Sequence, residues 1–144
     1  METTSFLIWL VFIALIFSIG LGAMLRAYQG SGGFTVLFAE PIALSADTAL
    51  EPDMLLQFQK ACDVYRQGSF PQAIERFTHL IQDHPTLAEA YHNRGLSSAN
   101  LRQADQAVSD LLQAGEQYLE QGHPAGFDRV KQDLATLKQQ GIKH

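Results

Sequence analysis

The sequence is short of the side chains on which most chemistry depends. Its 144 residues include one cysteine, Cys62, so no intramolecular disulfide is possible. Neither C-x-x-C nor H-E-x-x-H occurs, and the pair His79 and His84 has the wrong spacing to share one helix face. His92, His123 and His144 stand apart from them, and the pattern predicts neither metal nor cofactor. Lysine is scarce, with four residues against fourteen glutamines. Ten basic against fifteen acidic side chains leave a net charge of −5, and the basic ones are scattered rather than gathered in a stripe. That removes the electrostatic footprint of a nucleic-acid binder. Carboxylates are plentiful, but Asp105 and Asp110 read as solvated helix-face residues rather than as an opposed catalytic pair. The Gly30-Ser31-Gly32-Gly33 stretch lacks the Lys-Ser/Thr that completes a phosphate loop. Catalysis is not expected.

Charge is also missing from residues 6–25, a run of twenty. At about 1.5 Å per residue such a helix reaches about 30 Å, the thickness of a bilayer's hydrocarbon core. The competing reading is a cleaved signal peptide, which needs a basic start and a small-residue cleavage site. The start here is Met-Glu-Thr-Thr-Ser, and Gly-Ala-Met-Leu-Arg-Ala lacks a clean A-x-A signature. We therefore expect a short tail at residues 1–5 and a transmembrane helix over residues 6–27. Trp9 and Tyr28 stand near its ends, where amphipathic rings favour the interface. Arg26 follows the helix, so the positive-inside tendency puts the C-terminal part in the cytoplasm or its organellar equivalent. Ser18 and Gly22 have the small-x-x-x-small spacing that permits close helix packing, which is also frequent by chance.

Residues 28–51 form a linker, glycine-rich at first. Within it, residues 34–39 are apolar and close on Glu40-Pro41. This stretch has three possible fates: packing on the following domain, lying at the membrane interface, or meeting a partner. Pro52 suits the first turn of a helix, and from Asp53 the pattern is helical throughout.

It also repeats. A shift of thirty-four residues aligns Ala61 with Gly95, Ala73 with Ala107, Phe77 with Leu111 and Leu80 with Ala114. Small residues at these places let paired helices approach, while Phe77 and Leu111 fill the space between layers. Ser69 with Gln72, and Thr86 with Glu89, have capping-box spacing where the frame starts a helix. After Gly122-His123-Pro124, Phe127, Val130, Leu134 and Leu137 recur at helical spacing, and Gly141 ends the pattern.

On these residues the segment resembles tetratricopeptide repeats. Residues 52–121 hold two units, 54–87 and 88–121, and an amphipathic helix over 124–141 acts as the solvating cap. The first unit carries Ala61, Gly68, Phe70, Ala73, Phe77, Leu80 and Pro85, and the second Tyr91, Gly95, Ala107, Leu111 and Ala114. The second unit departs from the pattern with Arg102 at the turn glycine and Leu119 at the closing proline. Its last helix should therefore run on to 120 or 121. The fold class expected is all-α: one transmembrane helix plus an antiparallel helix-turn-helix stack with a capping helix.

The resemblance implies a concave face lined by the first helix of each unit, here Phe58, Cys62, Tyr65, His92, Asn93 and Leu96. Relatives that grip a chaperone's carboxyl terminus use Lys and Asn at lining positions. Only Asn93 agrees, so the groove is aromatic and nearly neutral and suits an apolar or amphipathic segment of a membrane-complex subunit. The alternative is that residues 34–38 or the cap helix cover Phe58 and Tyr65. An anchor feeding a small repeat domain also resembles the photosystem I assembly proteins of cyanobacteria and plastids. That likeness implies an assembly factor in the thylakoid membrane with a stromal domain. A permanent accessory subunit of a membrane complex is the alternative. Two repeats bury a small core, so stabilisation by self-association or by the partner is a further expectation.

Overall fold

The computed structural model describes residues 35–46 and 48–141. The expected transmembrane helix, with Ser18 and Gly22, lies outside them. Among the described residues all regular structure is helical: α1 (Pro52–Arg66), α2 (Phe70–Asp83), α3 (Ala88–Asn100), α4 (Ala104–Glu120) and α5 (Pro124–Gly141). None of these helices is long and apolar enough to cross a membrane.

Local chemistry explains the boundaries. Pro52 and Pro71 sit in the first turns of α1 and α2, where a missing N–H costs nothing. Asp53 and Arg66 complement the dipole at the two ends of α1. Three helices end the same way, with a left-handed residue just past the cap: Gly68 (φ 76°), Arg102 (φ 63°) and Gly122 (φ 66°). In each, two amides turn back to the final carbonyls, as where Gly68 N–H donates to Tyr65 C=O and Ser69 N–H to Val64 C=O. These three-residue turns reverse the chain, so the helices they join pack antiparallel.

The capping boxes do not form. Ser69 caps α2 without a side-chain hydrogen bond. The cap of α3 is Leu87 rather than Thr86, and the Glu89 carboxylate is engaged elsewhere. Asp110 also differs from expectation. It is buried and takes a bidentate grip from Arg94, at 2.9 and 2.7 Å, which ties α3 to α4.

One core runs from α1 to α5, each helix packing on its neighbours in sequence. Phe58 meets Phe77 edge-on at 5.8 Å, and Tyr65 meets Phe70 at 5.2 Å. Gly95 permits the tight α3–α4 contact, since a Cβ there would stand 3.2 Å from the Ala107 carbonyl oxygen. Residues 36–46 and 48–50 precede α1 as an irregular strap laid on the helices, with Phe38 buried in the core.

Candidate protein-interaction groove

Two helices build the groove. Phe58, Cys62 and Tyr65 recur at i, i+4 and i+7 on α1, one stripe of its surface. His92, Asn93 and Leu96 belong to α3, and all six side chains are buried. The structure brings them together but does not leave them open. The strap and α5 cover them.

The strap runs antiparallel to α3 and is held at three stations. At the first, Asn100 Oδ1 accepts the amides of Leu37 and Phe38, both at 2.9 Å. Its Nδ2 donates to the Phe38 carbonyl at 2.8 Å, and the Tyr65 hydroxyl donates to the same oxygen at 2.7 Å. At the second, Asn93 Oδ1 accepts Ile42 N–H at 2.6 Å while its Nδ2 donates to Ile42 C=O at 2.9 Å. At the third, Glu89 Oε1 accepts Ser45 N–H at 3.1 Å and the Thr48 hydroxyl at 3.2 Å. His123 Nδ1 accepts the Gly126 amide, which leaves Nε2 to donate to Ser45 Oγ at 3.1 Å. Asn93 and Asn100 are seven residues apart, two helical turns, and so share one face.

The cap helix covers the other flank. His92 Nε2 lies 2.8 Å from Asp133 Oδ2, and Arg129 reaches the same carboxylate at 3.2 Å. Asp133 is buried, so its charge is held by partners rather than by water. His92 also stacks edge-on against Tyr118, at 5.9 Å between rings.

The electrostatics oppose nucleophilic chemistry. Burial pushes the Cys62 thiol up to about 11, with Arg66 only partly offsetting it. Such a thiol is protonated at neutral pH and packs as a small apolar group. Burial likewise raises the Tyr65 and Tyr118 hydroxyls. Among the described residues, no group of three His, Cys, Asp or Glu side chains is placed to hold a metal ion.

Sequence reasoning missed Asn100, Glu89 and the strap residues they hold. Asn100 ends a helix, where asparagine usually reads as a cap. Its seven-residue spacing from Asn93 was the available signal. No protein-family model, curated protein or solved structure matches this chain.

Proposed function

We propose that the chain is a membrane-anchored protein-interaction scaffold of tetratricopeptide-repeat type, an assembly factor or adaptor for a membrane protein complex. It binds and does not catalyse. The observation that carries this reading is the α1–α3 groove, where side chains aimed at main-chain groups hold an extended stretch of polypeptide. That is how a site engages a protein segment rather than a small molecule. The thirty-four-residue spacing of small residues and the charge-free run at residues 6–25 add the repeat and the anchor. Photosystem I is the complex suggested by the anchor-plus-repeat architecture, with the helical domain on the stromal face.

The test is capture from thylakoid membranes in mild detergent, with the tagged full chain as bait and mass spectrometry of what it retains. Photosystem I subunits enriched in incomplete assemblies support the assembly-factor reading. Stoichiometric retention of the mature complex would make the chain an accessory subunit instead. Retention of no membrane-complex subunit would overturn both.

A further inference from the structure

We propose that residues 37–45 are a displaceable occupant of the α1–α3 groove, and that an extended partner segment takes their place. That segment carries an aromatic side chain where Phe38 sits and an aliphatic one four residues later. The inference rests on the scaffold reading above and names what the scaffold accepts.

Four observations carry it. First, every hydrogen bond from Asn93 and Asn100 to the strap ends on its main chain, so any extended segment offers the same groups. Second, the stations are spaced for an extended chain. Phe38 to Ile42 spans about 13 Å at full extension, against about 10 Å from Asn93 to Asn100 along the helix, so a gently kinked strand meets both amides. Third, few of the strap's own side chains are fully enclosed. Phe38 is buried and Leu37, Ile42 and Leu44 are half-buried against the core, whereas Ala39 and Ala43 face out and Glu40 meets Arg66 only in an exposed ion pair at 3.6 Å. Fourth, the groove is underfilled. Beside Leu44 lies an open cleft of about 340 Å³, lined by Leu55, Phe58 and Cys62 and by the polar side chains of Gln59, Asp63 and Arg66. A larger side chain at the Leu44 position reaches the exposed side chain of Leu55, which the strap leaves uncovered.

The competition is set by tethering. A short covalent link gives the strap an effective concentration in the millimolar range. A free segment making the same contacts displaces it poorly, whereas one that also fills the cleft displaces it well. The strap therefore discriminates against weak extended segments while leaving the site open to better ones.

The experiment uses the full chain in detergent micelles and a fluorescein-labelled peptide of residues 35–46, read by anisotropy. Phe38→Asp with Ile42→Asp in the chain releases the strap, and this variant should bind the peptide at least about tenfold more tightly than the unmodified chain. Leu44→Phe in the peptide should tighten binding several-fold more. Adding Asn93→Ala and Asn100→Ala to the release variant should weaken it by about tenfold or more. A release variant that keeps its helical circular dichroism and cooperative melt, yet binds no better than the unmodified chain, overturns the proposal.

Should the release variant not fold, hydrogen exchange on the unmodified chain decides. Millimolar Leu44→Phe peptide must speed exchange at the Leu37, Phe38 and Ile42 amides, and unchanged rates overturn the proposal. A dimer of the unmodified chain that excess peptide does not dissociate also overturns it, since the occupant would then be a second copy. Capture of membrane-complex subunits by a chain that ignores the peptide removes this inference and leaves the scaffold reading standing. Peptide binding without such capture does the reverse.

Discussion

Helices α1 and α3 both face the strap, yet they are made of different materials. Buried positions on α1 form one stripe of Met54, Phe58, Ala61, Cys62 and Tyr65. On α3 nearly every residue is buried, including Glu89, His92, Asn93, Ser97, Ser98 and Asn100. The cause is position. The first helix ends the stack and is covered on one side, whereas α3 touches α2, α4 and the strap, and reaches α5 through His92 and Asp133. A helix enclosed on so many sides must satisfy each polar group it buries. On α3 those groups mostly point at the strap's backbone or at other helices, with Glu89 Oε2 and Ser98 Oγ left without a protein partner. One helix thus supplies an apolar wall, with the Tyr65 hydroxyl as its hydrogen bond to the strap, and the other chiefly reads main chain.

The comparison predicts unequal consequences of truncation. Phe58→Ala removes a ring that no rearrangement of the strap replaces, and it should cost about 3–5 kcal/mol in urea denaturation. Asn100→Ala leaves the Leu37 and Phe38 amides and the Phe38 carbonyl without their amide partner. Because the strap lies at the surface, it can lift off and hydrate those groups. The loss is thereby capped at about 2–3 kcal/mol, and amide exchange should rise at residues 37–42 well before it rises in α2. A larger loss for Asn100→Ala than for Phe58→Ala would invert the division between wall and reader.

Cys62 sharpens the apolar half. Burial raises its thiol from 9.0 to about 11. A raised acid pKa means that the folded chain holds the proton more tightly than the unfolded chain. This contribution is therefore complete below pH 9 and is lost as pH climbs towards 11. The stability difference between the unmodified chain and Cys62→Ala should be flat at neutral pH and shrink across that window. Tyr65 and Tyr118 titrate alike in both proteins and cancel. A difference that grew with pH would place the thiol in a polar setting and contradict the apolar wall.

How much of this was legible in the sequence depended on the range of the cause. Pro52, Gly68 and Gly122 act on their own turns, and helix ends follow from them; α4 stops at Glu120, where the departure at Leu119 had put it. The repeat frame put Phe58 and Tyr65 on a lining face, with cover by residues 34–38 or the cap helix as the alternative, and both are buried. Polar residues with distant partners were misread. Glu89 has capping-box spacing three residues from Thr86, yet its carboxylate meets Ser45, forty-four positions back. Asp110 looked like a solvated carboxylate until Arg94 arrived from the neighbouring helix. The apolar stretch before Glu40 had three possible fates, and for its described residues, from Thr35 onward, packing of Leu37 and Phe38 on the helices decides among them. Local signals cannot express such choices, because only the folded chain brings the partners together.

The smallest expected effect concerns the two turns that end these helices. Gly68 and Arg102 occupy the same left-handed position after α1 and α3, with φ of 76° and 63°. Glycine adopts that conformation freely, whereas an L side chain pays about 1 kcal/mol through its Cβ. The backbone hydrogen bonds of the two turns are alike, for the turn amides return to the Ala99 and Ser98 carbonyls as Gly68 and Ser69 return theirs to Tyr65 and Val64. Arg102→Gly relieves that backbone strain, by somewhat less than about 1 kcal/mol because glycine also loosens the unfolded chain, and gives up whatever the arginine side chain contributes. Gly68→Ala should destabilise by a similar amount. The pair of melts separates two causes: if Arg102→Gly destabilises while Gly68→Ala behaves as stated, the arginine side chain makes a contact worth more than its backbone strain, and the two turns are alike in geometry but not in what holds them.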